Sequence, residues 1–177
     1  DGLLKQQIIR GLAKAYPAYE VHISGLHYNA WESRLWCDSI TLETIDSTFS
    51  FSADSFSISG ISRTELLIKR GFAASVLKGS EIVGREVVFG FLKAQDERRL
   101  GTLYISVPDS EMVAESATFH PLVDDVEFFA KSEFRRTRYR FDTPRIELMG
   151  LDCLALLQGG VYIARNITIH DAIADIL

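Results

Sequence analysis

The stretch that decides the fold is FSFSADSFSISG, residues 49–60. Apolar residues alternate with serines along it, and this period of two predicts a β-strand with one face toward a core. The alternation slips at Asp54, because the two phenylalanines before it have one parity while Phe56 and Ile58 have the other. A β-bulge or a bend near Asp54 would bring both halves back to the same core face.

A second stretch, YRFDTPRIELMG at residues 139–150, matches the first at an offset of 90 residues. It repeats the slip, with Pro144 in the place of Asp54. In both copies a glycine is followed by an aliphatic residue and then by a residue type that caps helices. The agreement predicts an internal duplication, about residues 20–92 and 102–177, within one domain of residues 1–177. The residues that define the repeat are Gly60, Ser62, Gly150 and Asp152.

The fold class expected from these patterns is mostly β, in the α+β class. We predict a twisted antiparallel sheet built from two duplicated strand–short helix–strand units. Ser62 and Glu65 form a capping box that would start the first short helix. An amphipathic helix is predicted over residues 3–16, where apolar residues recur at three- and four-residue spacings before Pro17.

Composition excludes several functional classes. The net charge of −5 argues against nucleic acid as a partner. There is no run of about 18 apolar residues, so no segment is expected to span a bilayer. The chain begins and ends as though cut from a longer one, and we expect any membrane anchor in segments outside it.

The two cysteines, Cys37 and Cys153, leave two readings open. One long-range disulfide would fit their separation, and two buried thiols would fit their lack of any CxxC spacing. Buried thiols are the favoured reading.

Motifs for catalysis or for cofactors are missing from the sequence. The four histidines have no zinc-ligand spacing, the serines form no nucleophile elbow, and the glycines form no phosphate loop. We therefore expect no cofactor, no metal and no enzymatic activity.

A basic run near the second repeat offers a candidate contact surface. Arg136, Arg138 and Arg140 would lie on one face of a strand, where they could bind anionic lipid or a partner through bidentate hydrogen bonds. The simpler interpretation is an exposed face that pairs with acidic residues on neighbouring strands.

The residues also resemble a known family. The opening helix followed by YPAYEVHI at residues 16–23, and CDSITL at residues 37–42, look like segments of AsmA-like proteins. The units around Gly60 and Gly150 are similar to that family's strand–helix–strand modules. The resemblance implies a periplasmic protein anchored in the inner membrane, with a β-groove and a role in outer-membrane biogenesis or lipid transfer. Its implied partners are lipid or neighbouring modules of the same chain, although two modules are too few for a long groove.

Two hypotheses follow. The first is a non-catalytic envelope module whose sheet offers an apolar concave face to lipid or to a neighbouring module. The alternative is a surface or adhesin-like interaction domain, a closed β-sandwich with exposed aromatic residues such as Trp31 in its loops.

Overall fold

The computed structural model describes residues 6, 9–11, 17–61, 77–93, 95–122, 139–153, 155 and 163–176. The described strands all join one antiparallel sheet, with the main order β1-β4-β5-β7-β8-β9-β10-β11. Their bounds are β1 Tyr19–Ser24, β2 His27–Asn29, β3 Arg34–Cys37, β4 Ser39–Thr44, β5 Phe49–Ala53, β6 Ser55–Ser59, β7 Glu81–Phe91, β8 Asp96–Ser106, β9 Glu111–Pro121, β10 Tyr139–Met149, β11 Asn166–His170 and β12 Ile173–Ile176.

Several of these strands are halves of longer ones. β1 and β2 pair with β4 and β3 in one unbroken register, and β5 and β6 both pair with β7 in another. Likewise, β11 and β12 both pair with β10. The sheet therefore consists of long strands of equal length, at residues 19–29, 34–44, 49–59, 81–91, 96–106, 111–121, 139–149 and 166–176.

Short turns join these long strands into hairpins. The turns cover residues 30–33, 45–48, 92–95 and 107–110, so strand starts recur every 15 residues within each run of hairpins. Each turn contains one residue with positive φ, namely Ser33, Ser47, Gln95 and Ser110. Such a residue reverses the chain direction in a compact loop.

Pairing is interrupted along most of one line across the middle of the sheet, and only Ser24 and Ser39 on that line form a pair in the described strands. Between β7 and β8, Arg85 pairs with Thr102 and Val87 with Leu100, but Glu86 and the facing Gly101 do not form a pair. We call the row of central residues the bend line. It consists of Ser24, Ser39, Asp54, Glu86, Gly101, Ser116, Pro144 and Asp171.

The side-chain alternation slips at the bend line, as β7 shows. Ile82 belongs to the core before the line and Val87 after it, although their numbers differ in parity. Two consecutive residues, Arg85 and Glu86, are therefore exposed on the opposite face. Two consecutive outward residues make the outer face of the strand longer than its inner face. The sheet therefore bends toward its apolar face. A Cβ built on Gly84 would lie 2.8 Å from Cγ2 of Val87, which places both residues inside the bend.

The bend divides the sheet into two arms. The Gly60 arm comprises the strand halves 25–29, 34–38, 55–59, 81–85, 102–106, 111–115, 145–149 and 166–170. The Phe91 arm comprises 19–23, 40–44, 49–53, 87–91, 96–100, 117–121, 139–143 and 172–176. One apolar cluster spans both arms, from Ile58 and Ile82 on the first to Ile40 and Val87 on the second.

The prediction of a mostly β fold with an antiparallel sheet is confirmed for the described residues. The slip at Asp54 is a bend and not a bulge, since β5 and β6 keep one register with β7. The predicted construction from two strand–short helix–strand units is not supported, because the slip recurs on neighbouring strands as well. The helix predicted after Ser62 lies outside the described residues. Of the helix predicted over 3–16, residues 6 and 9–11 are described and are helical.

The two repeat glycines end their strands in the same way. Gly60 and Gly150 both have positive φ, 79° and 66°. The next amide in each case donates to the last residue of a four-residue turn, from Ile61 to Ser33 O at 3.0 Å and from Leu151 to Ser110 O at 2.9 Å. The local geometry is alike at both glycines, while duplication of larger units stays a prediction.

Both cysteines are free thiols, buried in the same apolar cluster. Burial, with a smaller effect of the Asp38 charge, raises the pKa of Cys37 to about 11. Burial also raises the pKa of Cys153. The reading of two buried thiols is therefore confirmed.

We expect the thiols to resist modification in the folded protein. At pH 8 a disulfide reagent such as Ellman's reagent should react slowly in buffer, and with two thiols per chain in denaturant. Because the folded state holds the Cys37 proton more tightly than the unfolded state, its contribution to stability is complete below about pH 9. That contribution falls as pH rises toward about 11. Urea unfolding of wild type and Cys37→Ala across this range should show the difference, and an equal pH dependence in both would contradict it.

The contact across the bend gives a second prediction. Gly84→Ala should destabilise by about 1 kcal/mol, because the new methyl meets Val87. Val87→Ala should cost about 2 kcal/mol through lost burial. The double variant should lose about 1 kcal/mol less than the sum, as measured by urea unfolding. Strict additivity would mean that the two residues do not meet inside the bend.

Candidate functional site: the concave face

The concave face of the Gly60 arm is apolar from edge to edge. Its outer row contains Tyr28, Leu35, Ile58, Ile82, Ile105, Met112, Leu148 and Ile167. Four described residues beyond the strand ends, Ile61, Leu77, Leu151 and Cys153, are buried in the same cluster. The Gly60 arm is therefore the packed half of the core.

The concave face of the Phe91 arm is rich in phenylalanine. Its middle row contains Val21, Leu42, Phe51, Phe89, Arg98, Phe119, Phe141 and Ala174. The ring centroids of Phe51 and Phe89 lie 5.3 Å apart, and those of Phe49 and Phe91 also lie 5.3 Å apart. We call these four phenylalanines, together with Phe119 and Phe141 beyond Arg98, the aromatic floor.

The aromatic floor is less covered than the Gly60 arm. Phe49, Phe91, Phe119 and Phe141 are each half-buried, and none of them belongs to the buried cluster. A partly accessible apolar surface inside a bend has the composition typical of sites for apolar ligands.

Two charged residues interrupt the apolar surface of this face. Among the inward positions of the described strands, only Asp96 and Arg98 are charged. The guanidinium of Arg98 lies 4.5 Å from the ring centroid of Phe91 and 5.4 Å from that of Phe119. Oδ1 of Asp96 is buried without a hydrogen-bond partner. We call Asp96 and Arg98 the charge pair.

The convex face is polar and carries ion pairs between strands. Arg145 contacts Glu115 at 3.0 Å and Glu147 at 2.5 Å. The bonds to Glu147 and Glu115 raise the pKa of Arg145, and the bond from Arg145 lowers the pKa of Glu147. These exposed pairs solvate the outer surface and contribute little to stability.

The predicted arginine ladder lies only partly within the described residues. Arg136 and Arg138 are outside them. Arg140 is on the convex side of β10, directly opposite Asp175 of β12. Contact of this ladder with lipid or with a partner stays a prediction, and Arg140 does not line the concave face.

Asp152 acts as a helix cap, as predicted. Its Oδ1 accepts a hydrogen bond from the amide of Ala155 at 3.0 Å, and residues 153 and 155 are helical. The corresponding Ser62 lies outside the described residues. Gly60 and Gly150 thus end their strands with positive φ, and Asp152 caps the helical residues that follow it.

Groups that could support other functions lie away from the concave face. His120 and Asp142 form an exposed pair on the convex side, with Nε2 and Oδ1 2.9 Å apart. Within the described residues no group of metal-binding side chains occurs. In the same part of the chain, no helix is long and apolar enough to cross a bilayer.

The charge pair is not apparent from the sequence, because the polar residues Ala94–Arg99 have the composition of a turn. The turn covers residues 92–95, and β8 begins at Asp96. The spacing of 15 residues between the starts of β7, β8 and β9 was the available signal.

Comparisons with known proteins add little to this geometry. No family model and no curated protein matches the chain. One solved structure that resembles it is LptH, described as the LptA-homologous periplasmic component of the lipopolysaccharide transport device of Pseudomonas aeruginosa. The match has 8% identity and a TM-score of 0.33, and covers 90% of this chain and 93% of that one. At these values the likeness says nothing about the ligand or partners of this chain, and the AsmA-like resemblance stays a prediction.

Proposed function

We propose that this protein is a non-catalytic module that holds the apolar part of a lipid on the concave face of its bent sheet. The observation that supports the proposal is the aromatic floor of the Phe91 arm. Its phenylalanines lie inside a bend and are only half-buried, while the convex face beside them is polar. Such a surface favours an apolar ligand, because the ligand removes from water the apolar area of each phenylalanine that it covers.

The floor also suits lipid better than a protein chain. An acyl chain needs no hydrogen bonds, and the inward surface of the described strands offers almost none. A peptide bound in the same place would leave its backbone groups unpaired.

Binding of a neutral dye that fluoresces in apolar surroundings, N-phenyl-1-naphthylamine, tests the proposal. Wild type should enhance its fluorescence, and the double variant Phe119→Ser/Phe141→Ser should lose about tenfold in affinity. These two residues face each other across β9 and β10, so their removal opens one continuous gap in the floor.

The matched control changes the opposite face of the same sheet. Thr118→Ala/Val88→Ala alters residues adjacent to floor positions but on the convex side, and it should bind the dye as wild type does. Thermal unfolding checks that both variants are folded. Equal loss in both variants, or no binding by wild type, would overturn the proposal.

We propose further that the protein is an AsmA-like envelope protein, located in the periplasm and anchored in the inner membrane by a segment outside this chain. Its support is the resemblance of residues 16–23 and 37–42 to that family. Detection of the native protein in the periplasmic face of inner-membrane vesicles would test the location.

The adhesin-like alternative has one observation in its favour. Trp31 is 99% exposed in the turn at residues 30–33, as that hypothesis expected of a loop aromatic. The single open sheet differs from the closed sandwich that it also expected. Trp31→Ala should leave dye binding unchanged, and loss of cell or glycan adhesion in that variant would favour the alternative.

A further inference from the structure

We propose that the charge pair selects a lipid with a zwitterionic headgroup, in which an anionic phosphate is joined to an ammonium group. Arg98 would bind the phosphate and Asp96 the ammonium, while the acyl chain lies on the aromatic floor. This inference rests on the proposed function and adds to it the class of headgroup that the site takes.

The two charges are isolated among uncharged inward residues. Every other inward residue on the described strands is uncharged, and the residues paired with Arg98 across the sheet are Phe89 and Phe119. Asp96 is half-buried with Oδ1 shielded from water, and Arg98 is exposed beside the rings, so a ligand on this face can reach Arg98 and lies close to the Asp96 carboxylate. A lipid headgroup placed here would therefore interact mainly with these two side chains.

Neither charge is neutralised within the described residues. Arg98 forms no salt bridge there, and its guanidinium lies over the rings of Phe91 and Phe119. A guanidinium stacked on aromatic rings keeps its N–H groups free at the edges. Oδ1 of Asp96 likewise has no hydrogen-bond donor. Each side chain thus retains the capacity to bind an opposite charge.

The spacing between Asp96 and Arg98 suits a ligand that carries two opposite charges. Asp96 and Arg98 are two residues apart on β8, so their Cα atoms are about 7 Å apart and both side chains point to the concave face. A purely anionic headgroup would satisfy Arg98 but would meet repulsion from Asp96. A zwitterionic headgroup satisfies both, with its two charges joined by a short linker.

The position of the pair also suits a headgroup. Asp96 is the first residue of its strand and lies at the rim of the Phe91 arm, next to the turn at residues 92–95. Arg98 is one inward position deeper. Polar atoms of the ligand would thus stay near solvent at the rim, and the acyl chain would extend toward the bend line.

The test compares three lipids with the same single acyl chain. These are lysophosphatidylethanolamine, lysophosphatidylglycerol and the uncharged monoacylglycerol, each measured by displacement of N-phenyl-1-naphthylamine. Wild type should bind the phosphatidylethanolamine form about tenfold more tightly than the other two. Arg98→Gln should remove most of this preference. Asp96→Asn should bring the phosphatidylglycerol form to the same affinity as the phosphatidylethanolamine form.

Matched controls make the same charge changes on the convex face. Arg99→Gln and Glu97→Gln alter the neighbouring outward residues, whose side chains pair with each other. Both controls should keep the wild-type preference. Equal affinity of wild type for all three lipids, or equal effects of Arg98→Gln and Arg99→Gln, would overturn the headgroup inference and leave lipid binding intact. Failure of all three lipids and of the dye to bind would overturn both.

Discussion

Aspartate placed at residue 82 or at residue 87 should unfold the protein, whereas aspartate at residue 83 or 88 should be tolerated. Ile82 and Val87 are 3% and 0% exposed, and a carboxylate at either site would lose its hydration without gaining a partner. We expect each substitution to cost more than about 4 kcal/mol, a large share of the stability of a typical domain. Val83→Asp and Val88→Asp, on the partly exposed face, should cost about 1 kcal/mol.

The pattern of this scan tests the bend itself. In a regular strand, residues 83 and 87 would share a face and would respond alike. The slip at Glu86 instead joins an even-numbered residue before the bend line with an odd-numbered one after it. Circular dichroism and urea unfolding of the four variants measure the outcome. If Val83→Asp proved as damaging as Val87→Asp, the two arms would not present one common apolar face.

Alanine at residue 60 should cost about 3 kcal/mol, although it adds only a methyl group. Gly60 has φ of +79°, where a Cβ is strained by about 1–2 kcal/mol. The built Cβ would also lie 2.3 Å from the carbonyl oxygen of Gly79, and a backbone atom has little room to move. The free energy of unfolding in urea is the measurement.

Gly79→Ala is the matched control, because a Cβ at Gly79 meets nothing within 4 Å and the residue lies in the facing segment. We expect a change within about 0.5 kcal/mol for it. Similar losses in both variants would show that the approach of these segments does not depend on Gly60.

Local features of the sequence predicted the local features of the fold. The slip at Asp54 indicated a β-bulge or a bend, because alternation within one strand reports directly which side faces the core. Pro144 was compatible with its strand because it lies on the bend line, where the ladder has no pair to lose. Gly60 and Gly150 were predicted to be equivalent positions of a repeat, and both have positive φ.

Other features depend on pairing between distant strands, which no single segment contains. Asp96–Arg99 has the composition of a turn, yet it pairs with β7 and β9 because those strands extend to the same height. For the same reason the slip was assigned to two repeated units instead of to a line crossing the sheet. The aromatic floor could be inferred from single strands, but the charge pair within it could not.

The bend line has a consequence for how such a protein changes its capacity. The groove that the concave face forms between the two arms runs across the strands. Two further strands and their turns would therefore lengthen this groove by about 10 Å. Its depth is fixed separately, by where the slip falls within each strand. On the proposed lipid-binding function, the number of strand-and-turn units would set how many lipids lie side by side, and the position of the slip would set the length of acyl chain that the concave face covers. Insertions of 30 residues would change the first without disturbing the second.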